Sequence, residues 1–288
     1  MMSAVLKLVQ GSPEWHEYRQ SMRNASESAA VLGISPWITP YQLWTIKTGR
    51  STQAVTPPMQ HGTKMEPEAR AAYETHTGNL MQPLVLQDGH YSASLDGINL
   101  KGDLIVEIKC PFRGKSAPLW KEANEGRVPG HYAAQVQHQL MVAGASTAHF
   151  WVYAEGEGML ITLKRDEELM SLIREAWDDF AQYLDTDTPP PLVDADWAQR
   201  TDEAWSSAAL AYLEAKAKAD AADVVLEAAR KALVGLLYHP RESGEGVNVV
   251  KLWKAGNVDY KAIPQLKGVN LDRYRGKGRE EVRVTVVK

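Results

Sequence analysis

The sequence predicts an α/β protein of the α+β type, with a mixed central sheet flanked by helices and an extension made of a long helix and a small sheet. Three observations carry that reading. Helical and strand patterns alternate up to residue 187, the chain breaks at Pro189-Pro190-Pro191, and the pattern beyond the break is of another kind. Three consecutive prolines cannot continue a helix and favour an extended, semi-rigid connector. The expected division is a first domain at residues 1–187 and a C-terminal extension at 188–288.

The elements follow in order. Pro13-Glu14-Trp15-His16-Glu17-Tyr18-Arg19 reads as a helix with Pro in its first turn. Ser26 to Leu32 reads as a short helix ended by Gly33 and the loop Ser35-Pro36-Trp37, and helices are expected at 40–48 and 64–77, the latter closed by Gly78. Tyr91 to Leu95 and Leu104 to Lys109 read as strands joined by a turn-rich segment. A helix at 131–143, strands at 147–153 and 159–164, and an amphipathic helix at 166–184 complete the first part. Residues 198–237, rich in Ala, Glu and Lys and free of Pro, read as a long helix, either straight or bent on itself. Val247 to Trp253 with Val258 to Lys261 suggests a hairpin, and Val282, Val284 and Val286 a further strand.

Composition narrows the function. With 44% apolar and 24% charged residues, the chain has the make-up of an ordinary globular protein. No apolar run approaches a membrane span, and the start lacks a secretory signal's apolar core, so a cytoplasmic protein without a membrane partner is expected. Cys110 is the single cysteine, which excludes an intrachain disulfide framework and a cysteine-rich metal site. The net charge of −4 hides an uneven distribution. Residues 1–130 carry 13 Lys and Arg against 12 Asp and Glu, residues 131–250 carry 9 against 20, and residues 251–288 carry 10 against 4. The acidic excess sits in the middle, leaving both ends able to approach phosphates.

Leu104-Ile105-Val106-Glu107-Ile108-Lys109 is the most informative segment. On a strand, successive side chains alternate faces, so Leu104, Val106 and Ile108 point into a core while Glu107 and Lys109 share the other face. A hairpin would bring Asp96 beside Glu107. Two converging carboxylates repel and resist ionising without a cation between them. Hard oxygen donors of this kind suit Mg²⁺, with Mn²⁺ as a substitute. Lys109 could orient or deprotonate an attacking water and balance charge developing at a phosphate. By spacing alone, an ordinary surface Glu–Lys pair is the commoner explanation.

The wider pattern shifts that balance. Gly11-Ser12-Pro13-Glu14-Trp15-His16-Glu17-Tyr18-Arg19, Ala25-Ser26-Glu27 and Leu32-Gly33-Ile34-Ser35-Pro36 resemble the opening of the lambda exonuclease, or YqaJ-like viral recombinase, family. His61-Gly62-Thr63-Lys64-Met65-Glu66-Pro67-Glu68-Ala69-Arg70 is similar to its second block, and Ser94-Leu95-Asp96-Gly97 with Glu107-Ile108-Lys109-Cys110-Pro111-Phe112 to its nuclease motif. Tyr132-Ala133-Ala134-Gln135-Val136-Gln137-His138-Gln139-Leu140 resembles the last block. The likeness runs in order over about residues 8–185, within the PD-(D/E)xK superfamily and its restriction-endonuclease-like core. Leu95 stands where that superfamily usually has Pro, and Met22-Arg23-Asn24 departs from the usual stretch before Ala25.

The resemblance implies residue roles. Asp96, Glu107 and the Ile108 carbonyl would bind the metal, Lys109 would act on the water, and Glu66 and Gln135 would complete the catalytic set. Arg19 and Ser26 would receive a DNA 5′-phosphate. It further implies a Mg²⁺-dependent 5′–3′ exonuclease on double-stranded DNA that releases mononucleotides. A ring-shaped homotrimer would deliver 3′ single strands to a phage single-strand annealing protein. The alternatives are a structure- or sequence-specific endonuclease on the same core, or a catalytically silent DNA-binding module. Read from the residues alone, Glu66 is equally a helix-start glutamate beside Pro67, Gln135 a surface amide and Arg19 a solvated guanidinium. Trp15, Trp44, Trp120, Trp151 and Trp177 read as core anchors; Trp37 reads as loop packing or as a base-stacking residue.

Overall fold

The computed structural model describes residues 3–254, 256, 259, 260 and 263–269. The chain divides into two compact units, Met1–Trp197 and Ala198–Lys288. In chain order the first contains β1 (Ala4–Leu6), α1 (Pro13–Ser21), β2 (Arg23–Asn24), α2 (Ser28–Val31), α3 (Pro40–Lys47), α4 (Pro57–Thr77), β3 (Gln82–Asp88), β4 (Tyr91–Ile98) and β5 (Leu104–Lys109). It continues with α5 (Pro118–Asn124), α6 (Gly130–Ala143), β6 (Thr147–Ala154), β7 (Glu157–Lys164) and α7 (Glu167–Asp185).

The sheet runs β1-β3-β4-β5-β6-β7, with β2 joining β4 from outside that path. Its ladders are antiparallel except β5–β6 and β2–β4, which are parallel. The expected α+β class holds: a mixed, mostly antiparallel sheet with helices against it. Parallel pairing of β5 with β6 requires a crossover, which α5 and α6 supply. That crossover lays α6 against the face of β5 that carries Glu107.

Alternation on β5 sorts its residues as the sequence implies. Val106 and Ile108 join Tyr73, Met81, Trp151 and Tyr153 in the core beneath α4, whereas Ile105 packs with Leu95, Leu140 and Phe150 under α6. A third apolar cluster joins Leu43, Trp44, Ile173, Trp177 and Phe180 and fastens α3 and α7 to α6. Trp44, Trp120, Trp151 and Trp177 are buried anchors; Trp15 is only partly covered.

Some expectations are corrected. The helix expected at 64–77 begins at Pro57, capped by the Thr56 hydroxyl, which accepts the Met59 N–H. Glu66 is therefore no helix-start residue; it lies mid-helix beside the internal Pro67. The expected helix from Ser26 to Leu32 is a 3₁₀ turn at Ala25–Glu27 followed by α2. Strand β3 and helix α5 escaped the sequence reading: Pro83 weakens the strand signal, and α5 is only seven residues long.

In the second unit, α8 (Glu203–Gly235) runs unbroken, its first turn capped by Asp202 accepting the Trp205 N–H at 3.0 Å. The hairpin there pairs β8 (Arg241–Gly244) with β9 (Val247–Val250). Val247 thus finds a partner upstream, in β8. The two ends of the expected partner segment, Val258 and Lys261, lie outside the described residues, as does the strand expected at Val282 to Val286. No helix among the described residues is long and apolar enough to cross a membrane.

Candidate active site

The site forms where β4 and β5 part and α4 and α6 close over the gap. Gly97 pairs with Val106, and one step further the ladder gives way to a side chain: Asp96 Oδ2 accepts the Ile108 N–H at 2.7 Å. Gly97 is required here, because a Cβ would stand 2.7 Å from the Met81 Cβ and 2.9 Å from Val106 Cγ1. The tight packing behind Gly97 therefore fixes the backbone that aims Asp96.

Glu107 is 1% exposed and gripped on both oxygens. Gln135 Nε2 donates to Oε1 at 2.7 Å and Gln139 Nε2 donates to Oε2 at 2.6 Å. Residues four apart on a helix share a face, so α6 presents both amides together. Lys109 Nζ lies 2.5 Å from Glu107 Oε1 and 4.9 Å from the centre of the Tyr132 ring. Charged hydrogen bonds of this kind are what make a buried carboxylate tolerable.

From α4, Glu66 pairs with Arg70, whose Nε also donates to the Asp96 carbonyl at 2.8 Å. Glu66, Asp96 and Glu107 thus converge against the cations Lys109 and Arg70. Burial foremost, then the charges of Glu107 and Glu66, hold the Asp96 carboxyl well above the usual carboxylate range. Burial also raises Glu66; Arg70 opposes that shift and Glu107 adds to it. Burial by itself would lower Lys109, but the Glu107 and Asp96 carboxylates more than offset it and the net shift is upward. Burial, then Asp96 and Glu66, push the Cys110 thiol up to about 12, which disfavours the reactive thiolate.

A second cluster adjoins the first through α1. Trp15 Nε1 donates to Ser94 Oγ at 2.9 Å, and Ser94 shares the Asp96 face of β4. The Arg19 guanidinium packs 4.5 Å from the Trp15 ring centre and donates to Ser26 Oγ at 2.9 Å and Glu27 Oε1 at 3.3 Å. Beneath it Lys47, with a side chain 3% exposed, uses three donors on three acceptors: the Arg19 and Met22 carbonyls and Glu27 Oε2, each at 2.7 Å. Its ammonium orders the turn that brings Ser26 up to Arg19.

All the residues singled out from the sequence therefore lie in two groups: Glu66, Asp96, Glu107, Ile108, Lys109 and Gln135 in one, Arg19 and Ser26 in the other. Residues 14–146, which contain both groups, match the YqaJ-like viral recombinase domain. That match spans just under half of the chain.

The chain's relatives fit that match. The uncharacterized protein YqaJ of Bacillus subtilis (strain 168) is 28% identical over 180 residues, which cover 58% of this chain and 55% of that protein. The chain thus spans about half the length of this curated relative. The crystal structure of LHK-Exo, an alkaline exonuclease from Laribacter hongkongensis, covers 61% of this chain and 94% of its own, with 24% identity and a TM-score of 0.51. LHK-Exo in complex with dAMP gives a TM-score of 0.53 at 23% identity. At these identities the likeness establishes a shared fold.

The matched region also contains partners that sequence reasoning passed over. Gln139 carried a signal, its spacing of four from Gln135. Arg70 closes the second block of the resemblance but took no role from it, and Lys47 carried no signal, since charged side chains are mostly exposed and nothing local marks it as an exception.

Among the described residues, no group of three or more His, Cys, Asp or Glu side chains is arranged to hold a metal ion. An ion at this site would rest on the two carboxylates Asp96 and Glu107, with main-chain or solvent oxygen completing its shell. The donors are hard oxygens, and burial first, then carboxylate repulsion, raises Asp96; a divalent cation would relieve that repulsion. The residues fit Mg²⁺ or Mn²⁺.

Proposed function

We propose that this chain is a Mg²⁺-dependent 5′–3′ exonuclease on double-stranded DNA, releasing mononucleotides and leaving 3′ single strands for phage-type recombination by strand annealing. The observation that carries the reading is the paired Asp96 and Glu107 with Lys109 at 2.5 Å from Glu107, in the region that matches the recombinase domain. Asp96, Glu107 and the Ile108 carbonyl would hold the metal, which when bound supplies Lewis-acid activation of the scissile phosphate. Lys109 positions the attacking water and offsets charge developing on the phosphate oxygens. Gln135 keeps the Glu107 carboxylate turned toward Asp96, and Glu66 is a further acid at the rim. Arg19, with Ser26, receives the terminal 5′-phosphate through its planar fork. Mn²⁺ is the expected substitute metal. A homotrimeric ring, a phage annealing protein as partner and a location in the host cytoplasm belong to the same proposal, as does the division into a nuclease domain at 1–187 and an extension at 188–288.

The test is digestion of linear and closed circular duplex DNA, with Mg²⁺ and with chelator. Loss of linear duplex from its 5′ ends, with circles spared and no loss in chelator, is the expected result. Nicking of circles would turn the reading to an endonuclease. Asp96→Ala and Glu107→Ala should each abolish cleavage while DNA binding persists, since phosphate contacts elsewhere remain. Near-normal turnover by either variant would remove the catalytic assignment.

A further inference from the structure

At the rim of the site stands a large apolar side chain that the chemistry above does not use. Trp37 is 62% exposed, in contrast to Trp44, Trp120, Trp151 and Trp177, which are 8% exposed or less. Its exposure does not come from a loose loop. The Ser35 hydroxyl accepts the N–H groups of Trp37 at 3.2 Å and Ile38 at 3.3 Å, and Thr39 then caps α3 by accepting the Gln42 N–H.

The ring is also braced from the site side. His131 meets it edge-on, with centroids 4.8 Å apart and planes at 86°, and Tyr132 lies tilted beneath at 5.6 Å. The same Tyr132 ring carries the Lys109 ammonium 4.9 Å from its centre. Trp37 is thus two ring contacts from the lysine at the reacting centre, by way of Tyr132 on the N-terminal turn of the helix that supplies Gln135. Two neighbours hold the indole in position while most of its surface meets water. A rigid exposed aromatic beside a phosphate-handling cation is what recognition of a nucleic-acid strand uses: the cation attracts the backbone and the ring takes a base face.

We propose that Trp37 is a nucleobase-stacking residue at the mouth of this site, holding a base of the strand whose phosphate approaches Lys109. The ligand is a nucleobase of any identity, because every base offers a π-face and the ring supplies no hydrogen-bond code. The inference rests on the nuclease reading for its substrate.

The test uses the full chain in chelator, so that binding is measured without cleavage. Short single-stranded oligonucleotides carry 2-aminopurine at one of the first four 5′ positions in turn. In the parent protein one position should be quenched on binding. Trp37→Ala should abolish that quenching and weaken binding roughly 5- to 150-fold. Trp37→Tyr should keep most of both, which a merely structural role would not predict. Because the side chain is largely exposed, the melting temperature of either variant should match the parent's. In the cleavage assay the loss should fall on KM more than on kcat. Trp37→Ala binding with parental affinity and quenching, while the parent digests DNA, overturns this inference and leaves the nuclease reading intact. A parent that neither binds nor digests DNA overturns both.

Discussion

Replacing Asp96 with Asn should make the metal-free protein more stable. Asn preserves the shape and can still accept the Ile108 N–H that Asp96 Oδ2 accepts at 2.7 Å. What it removes is a negative charge facing Glu107 and Glu66, the two carboxylates that, after burial, push Asp96 upward. Two like charges ~5 Å apart in a medium of effective dielectric ~20 repel by about 3 kcal/mol. Losing the attraction to Lys109 cancels one of the two repulsions, and solvent reaching the partly covered site reduces the other. A net gain of about 1–2 kcal/mol remains, or roughly 2–8 °C in melting temperature for a domain of this size. The assay is thermal unfolding at pH 8 in chelator and then across a Mg²⁺ series. The parent should gain stability with Mg²⁺ by mass action and overtake the variant, which should respond little. A variant less stable than the parent in chelator, or one that Mg²⁺ stabilises as much as the parent, would refute the view that these carboxylates conflict until a cation separates them.

Three further outcomes follow from the same geometry. Gln139→Leu removes the donor on Glu107 Oε2 at 2.6 Å and should weaken Mn²⁺ binding roughly 10- to 100-fold by calorimetry, whereas a purely structural role would lower only the melting temperature. His138, buried with Nδ1 2.7 Å from Ser28 Oγ, is held down to about 3, chiefly by burial. The unfolded chain therefore takes up a proton between about pH 6.5 and 3 that the folded chain refuses. Stability should be intact above that window and fall by roughly 1.4 kcal/mol per pH unit within it, a slope that His138→Gln should flatten in denaturant titrations. Gly158→Ala should destabilise by roughly 1–3 kcal/mol in urea unfolding, since its Cβ would meet the Trp151 ring at 1.8 Å while Trp151 Nε1 is tied to the Ala69 carbonyl. An unchanged urea midpoint would show that Trp151 can move aside.

The fold class was legible because its signals are local. The alternation in Leu104 to Lys109 placed Val106 and Ile108 in one core and Glu107 on the other face, and the period of the 166–184 segment marked α7. The Thr56 cap was present in the sequence but masked by the Pro57-Pro58 pair, which reads as loop, so the helix carrying Glu66 was entered too late. Strand β3 was missed because its hydrogen bonds come from β4 and β1, and no local pattern encodes a partner.

By itself the sequence determined which side chains are chemically capable: two carboxylates and a lysine at strand spacing, an arginine and a serine in the opening block, a glutamine on a helix. Only the tertiary structure decided which of them meet. The β5–β6 crossover brings α6 onto the Glu107 face, so that Gln139 joins Gln135 on one carboxylate. The buried Lys47 ammonium, satisfied by two carbonyls and Glu27, sets the turn that carries Ser26 to Arg19. Residue type and spacing fix what a group can do; burial and the partners that arrive from distant segments fix its charge, its orientation and its neighbours, and those follow only from the closed packing of the sheet and its helices.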